Sequence, residues 1–167
     1  MFPFTASGAV GVQLEAAVPE AEFASALEQK LAASLELVRA RNLAVKEHTI
    51  ACRGGILRPV MSWNLLLPID SAEITVGQGP SAVNVSYQLA FGELLIVAAV
   101  MAGLLSVPAF MRSTPSGVVV GAVVFLTLFG GNYAIARWRF RRLIQRTVQA
   151  TLGAVPKRSA PMQRAAG

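Results

Sequence analysis

Charge is scarce in this chain, and so are the side chains that usually carry chemistry. Only 14% of its 167 residues are charged, and it has one cysteine and one histidine. A single thiol cannot close an internal disulfide, which excludes a disulfide-stapled scaffold. A zinc site needs about three or four protein ligands, and none of the familiar spacings occurs. His48 and Cys52 fall within a stretch read as a strand. Four residues along a strand separate them by roughly 13 Å, too far for a nucleophile and its base. Cys52 is therefore expected to be a small core residue.

Phosphate-cradling motifs are missing too. The glycines at 8 and 11, 54 and 55, and 77 and 79 match neither G-x-x-x-x-G-K-[ST] nor G-x-G-x-x-G. Gly54-Gly55, flanked by Arg53 and Arg58, reads either as a plain turn with solvated arginines or as an anion-holding loop. No G-x-S-x-G, H-E-x-x-H or paired-carboxylate pattern appears. The expectation is no catalytic constellation, no cofactor and no metal.

What the chain has in abundance is apolar surface. It is 54% hydrophobic, which excludes intrinsic disorder, and its 14 glycines exclude collagen. Its mean hydropathy is +0.54. Two uncharged runs stand out, eighteen residues at 94–111 and twenty-four at 113–136. At 1.5 Å per residue, eighteen helical residues reach about 27 Å against a hydrocarbon core of about 30 Å. The first run can extend backward, so spans are expected at about 90–111 and 116–136. Buried core helices are the alternative, but a chain this short has little other surface to cover them.

Pro108 is tolerable near the end of the first helix, and Pro115 suits the first turn of the second. So short a joint makes an antiparallel hairpin with both termini on one side. Five arginines at 137–146 stand against Arg112 in the turn, so the positive-inside rule puts both termini in the cytoplasm. The first residues, without a basic n-region or a long apolar run, do not read as a signal peptide. Small residues, Ala99 and Gly103 in the first span and Gly117 and Gly121 in the second, are spaced for close helix contact. Ala98, Ala102 and Ser106 lie beside the first pair. The contact reads either as hairpin packing or as self-association, and the spacing serves both. Glu93 is the acid next to a span, and an ion pair or hydrogen bond to Arg137 or its neighbours is expected.

The charge is unevenly shared. Residues 1–92 carry six bases and eight acids, whereas 136–167 carry eight bases and no acid. A nucleic-acid binder would carry its bases on the folded part, so a membrane flank is favoured over a nucleic-acid partner.

Residues 1–8 read as a lead-in and 9–92 as a small cytoplasmic domain. Alternation at 9–18 gives a strand with Val10, Val12, Leu14, Ala16 and Val18 on one face. Pro19 starts a helix to about Arg39, with Phe23, Leu27, Leu31, Leu35 and Val38 at helical spacing. Further strands are expected at 43–52, at 60–69 continuing through 73–77, and at 83–91, with a turn at 77–80. The fold class is thus α+β: a β-α-β-β-β domain, a two-helix transmembrane hairpin, and a basic amphipathic helix at 137–153. That helix, with Arg139, Arg141, Arg142 and Arg146 opposite its apolar stripe, either extends the second span or lies on anionic lipid. The tail, 154–167, reads as disordered.

Ile74-Thr75-Val76-Gly77 and Val83-Asn84-Val85-Ser86-Tyr87-Gln88-Leu89-Ala90-Phe91, with the apolar runs after them, resemble a loose group of bacterial membrane proteins. In these a short β-α-β-β-β domain leads directly into two spans. The resemblance covers most of 9–136 and implies a layout without implying an activity. The expected role is a non-enzymatic, membrane-anchored interaction or accessory module, whose partners are the bilayer and a membrane protein or second copy. Anionic-lipid or small-ligand binding at the cytoplasmic surface is the alternative, and transport or enzymatic chemistry through Glu93 or His48 a third.

Overall fold

The computed structural model describes residues 4–14, 19–54, 66, 68–79 and 82–154. Alternating apolar residues build five antiparallel strands: β1 (Thr5–Gln13), β2 (Arg41–Lys46), β3 (Thr49–Arg53), β4 (Ser71–Gly79) and β5 (Ala82–Ala90). Their order across the sheet is β1-β5-β4-β3-β2. One helix, α1 (Glu20–Leu37), carries the chain from β1 to the far edge.

The helix lies where its stripe requires. Phe23, Leu27, Leu31 and Leu35 are fully buried against the inner face of the sheet, built from Ile50, Cys52, Ile74, Val76, Val83, Val85 and Leu89. Each large side chain so buried contributes about 1.5–3 kcal/mol. Pro19 is the N-cap residue rather than the first helical one, and its carbonyl accepts the amide of Phe23 at 3.0 Å. At the other end the Ala40 amide reaches the Leu35 carbonyl and the Arg39 amide reaches Glu36. Both bonds belong to a Schellman turn, with Arg39 in the left-handed region at φ 58°.

Four expectations for the domain need correction. The first strand begins at Thr5 and not at residue 9, so the lead-in is part of the sheet, and it ends at Gln13. Residues 43–52 are not one strand but the hairpin β2–β3, turning at Glu47 and His48 with φ 38° and 66°. The sheet therefore has five strands, where the sequence reading had four. The glycines at 77 and 79 lie inside β4, and the tip at Pro80 and Ser81 falls outside the described residues. Most of the stretch 60–69 also falls outside them. Of its described residues, Leu66 and Ile69 are buried, and neither belongs to a strand.

Beyond β5 the chain turns at Phe91 into α2 (Gly92–Phe110), followed by α3 (Thr114–Phe125). Ser113 caps α3, its oxygen accepting the Ser116 amide at 3.4 Å, with Pro115 in the first turn. A π-helical segment, Leu126–Gly131, then leads without a break into α4 (Asn132–Leu152). The second apolar run and the basic helix are thus one rod, Thr114–Leu152, of 39 residues. Its outer part does not stand alone. Ala136, Phe140, Ile144 and Val148 close the domain core beside α1, and Lys30 of α1 donates to the Ala150 carbonyl at 2.9 Å.

Candidate membrane interface

Gly92–Phe110 and the 39-residue rod are each long and apolar enough to cross a membrane. Their surfaces are the reverse of a water-soluble pair. Ile96, Val100, Leu104, Leu105, Val118, Val119, Val123 and Leu126 are exposed, whereas α2 buries Ala98, Ala102 and Ser106. Core helices of a soluble protein would hide the first set.

Of the four small residues expected in the hairpin contact, the structure brings two together. Gly117 is buried, and a Cβ there would run into the ring of Phe110. A Cβ on Gly121 would touch Ser106 at 3.4 Å and the Ala102 carbonyl at 3.9 Å. Ala99 is exposed and a Cβ on Gly103 would meet open space, so these two lie outside the contact. The contact face of α2 is Ala98–Ala102–Ser106, one position earlier than expected. Both registers carry small residues four apart, so spacing alone gave no preference. The Ser106 hydroxyl donates within its own helix, to Gly103 at 2.8 Å.

The hairpin is joined to the sheet by two devices. The first centres on Asp70. Its backbone amide reaches the Ala90 carbonyl and its carbonyl accepts the Gly54 amide, both at 2.9 Å. Its Oδ2 accepts the amide of Glu93 at 2.9 Å. Asp70 therefore caps α2 from outside the helix, where Phe91, the N-cap residue, offers no side-chain bond. Gly54 has to be glycine at this crossing, because a Cβ would collide with the carbonyls of Leu66 and Ile69. Burial pushes the Asp70 carboxyl above the usual carboxylate range, and the neighbouring Glu93 charge adds to this; the amides of Glu93 and Gly92 oppose it. The other oxygen, Oδ1, is buried with no hydrogen-bond partner among the described residues.

The second device is aromatic. Phe125, Phe129 and Tyr133 stack along the rod with centroids 5.6 and 5.9 Å apart. Phe4 meets Phe129 edge-on at 5.9 Å, and Phe91 meets Tyr133 at 4.9 Å. One level further out Tyr87 tilts against Phe140 at 5.5 Å. Such pairs contribute about 0.5–1.5 kcal/mol each beyond the area they bury.

Glu93 stands in the first turn of α2, and Arg137 lies exposed on α4. Arg139, Arg141, Arg142 and Arg146 are likewise exposed, and the Arg142 guanidinium lies 5.0 Å over the Trp138 ring. Because α4 continues the rod beyond α3, these arginines climb away from the apolar hairpin. Arg146 stands about 14 Å beyond Arg137 along the axis. His48 sits in the β2–β3 turn with Nδ1 2.5 Å from Glu28 Oε1. Cys52 is on the inner face, and burial pushes its thiol up, partly opposed by the Ala72 amide.

Two features escaped the sequence reading. Asp70 lies 23 residues from the amide it caps, so no local pattern marks it. The aromatic stack had a signal, since Phe125, Phe129 and Tyr133 recur every four residues, but apolar bulk there looked like span filler. No protein-family model, curated protein or solved structure matches the chain.

Proposed function

We propose that this chain is an integral protein of a bacterial inner membrane, crossing it twice, with the sheet domain and both termini in the cytoplasm. Its role in this reading is that of a non-enzymatic interaction or accessory module, with a membrane-protein partner or a second copy as its binding target. The observation that carries the reading is the outward-facing apolar ring of the hairpin, from Ile96 to Leu126, around a small-residue contact. Water would penalise that ring at about 25 cal/mol per Å², and lipid removes the penalty. The arginines of 137–146 support the orientation. Glu93 and Arg137 are the pair we place at the cytoplasmic boundary.

The experiment is purification from membranes in nanodiscs through an N-terminal tag, with mass spectrometry of what accompanies the chain. A stoichiometric membrane protein is the expected companion, and a chain extracted by alkaline carbonate would overturn the membrane placement. An impermeant thiol reagent should miss Cys52 in intact cells and, in a denatured control, react with it. The second reading is anionic-lipid binding by Arg139, Arg141, Arg142 and Arg146, favoured by their exposure on one continuous helix. Replacing Arg141, Arg142 and Arg146 by Gln should then weaken association with phosphatidylglycerol vesicles at low salt.

A further inference from the structure

Among the described residues, the sheet is covered on one face only. Its open face carries small and uncharged side chains over most of its area, and charge gathers at one end. The register places Thr5, Ala90, Ser71, Arg53 and Arg41 in a single row across β1, β5, β4, β3 and β2. This row lies level with the end of β5, two residues before α2 begins. In the membrane placement proposed above, on which this inference rests, it is the row nearest the headgroups. The next row outward contains Gln88 and Glu73. It stands about 7 Å further from the membrane, two residues along the strands.

A concavity of about 410 Å³ spans the two rows, with Thr5, Arg53, Ser71, Glu73 and Gln88 in its lining. Arg53 and Glu73 are exposed there, and neither side chain has an ion-pair or hydrogen-bond partner among the described residues. The notch therefore presents a guanidinium and hydroxyls below and a carboxylate and amide above.

We propose that this notch binds the zwitterionic headgroup of an aminophospholipid, the phosphate on Arg53 with Arg41 beside it and the ammonium on Glu73. The order of charges decides the ligand. The phosphate is anchored next to the glycerol, and the ammonium, on a flexible two-carbon tether, can swing outward from it, matching arginine below and glutamate above. An anionic headgroup would leave Glu73 facing negative charge, and a choline headgroup offers its quaternary nitrogen no N–H to donate. Arginine suits the phosphate because its planar fork bonds two oxygens together.

The full chain in nanodiscs of equal phosphatidylethanolamine, phosphatidylglycerol and phosphatidylcholine, examined by native mass spectrometry, tests this. Retained lipid should be enriched in phosphatidylethanolamine. Arg53→Gln with Arg41→Gln should reduce that lipid by about tenfold, the scale of one lost charge-assisted contact. Glu73→Gln should keep bound lipid but shift it toward phosphatidylglycerol. Lys46→Gln, an exposed base at the opposite end of β2 from Arg41 and outside the notch, should change nothing. Equal retention of the three lipids by the unmodified chain overturns the proposal while leaving the membrane placement intact, as does enrichment that survives the loss of both arginines. Displacement of the lipid by inorganic phosphate alone would assign the notch to a free anion and overturn it as well. A chain that does not enter nanodiscs at all removes both readings.

Discussion

The sheet domain and the hairpin both carry bulky apolar side chains and turn them opposite ways. In the domain the bulky residues, Phe23, Leu27, Ile74 and Phe140, are inside, and Ser86, Asn84 and Gln88 face out. In the hairpin Ala98, Ala102, Ser106 and Gly117 are inside, and Ile96, Val100, Leu104 and Val118 face out. Packing in the domain is driven by water, which rewards burial of bulk. Packing in the hairpin rests on close approach of two backbones, which rewards small size. In the membrane placement proposed above, the change of solvent falls at the level of Phe91 and Tyr133, where one set of rules gives way to the other.

The sharpest way to break this contrast is to give both regions the same substitution. Phe140→Ala, in the shared core, should cost about 4 kcal/mol in a denaturant titration followed by circular dichroism. Leu104→Ala, of similar chemistry but on the hairpin exterior, should change stability in detergent by less than about 0.5 kcal/mol. A comparable loss from Leu104→Ala would mean the hairpin exterior is a protein core. Val100→Arg, near the middle of α2, should instead impair insertion by about 3 kcal/mol, read as the inserted fraction in microsomal translocation.

Gly117→Leu tests the inverted rule. Where a larger apolar residue would ordinarily add burial, this one meets the Phe110 ring and should lower the thermal midpoint in detergent, by about 2 kcal/mol of stability. The same change at Gly103, which faces open space, should be nearly silent.

Asp70 sits at the junction of the two regions and probes it through pH. Its folded-state carboxyl is held above the unfolded value of about 3.9, so the folded chain binds that proton more tightly. Stability from this group is therefore present at low pH and lost as pH rises from about 4 through the raised value. Asp70→Asn should remove that dependence, so the variant gains on the wild type as pH rises above about 4, and a constant difference would refute it. The smallest effect lies in the β2–β3 turn. Glu47→Asn with His48→Gly relieves two left-handed residues and should add about 1 kcal/mol, less whatever the His48–Glu28 contact contributes.

These elements also show how far the residue pattern could be read. β5 and α1 were legible because one face is buried and the other wet, which writes a clear period into the chain. Two helices long and apolar enough to cross a membrane were legible from run length, since apolar residues fill both. The β2–β3 hairpin was hidden because Glu47-His48 occupies a turn that usually announces itself with Asn-Gly. The hairpin register was hidden because Ala98, Ala102 and Ala99, Gly103 satisfy one spacing rule equally well. Whether the basic helix extends the second apolar run was left open at 136 because composition changes there, from apolar all round to amphipathic, while the backbone runs on. Asp70 could not be found locally, since the amide it serves belongs to a different part of the chain.

The wide π turn at Leu126–Gly131 has a consequence for how the rod is indexed. An α-helix advances about 100° per residue, so an unbroken one would set Ala136 about 100° round from Gly117, and Phe140 the same from Gly121. Those residues are the contact faces toward α2 and toward the sheet, and α2 hangs directly from the sheet by β5. A π turn accommodates about one residue more than the helix would otherwise hold, which returns the offset to about 0°. The segment thus acts as a frame correction between two binding faces on one shaft. Deleting a single residue within it should straighten the rod and leave both faces aligned, whereas the same deletion a turn to either side would turn one face away from its partner.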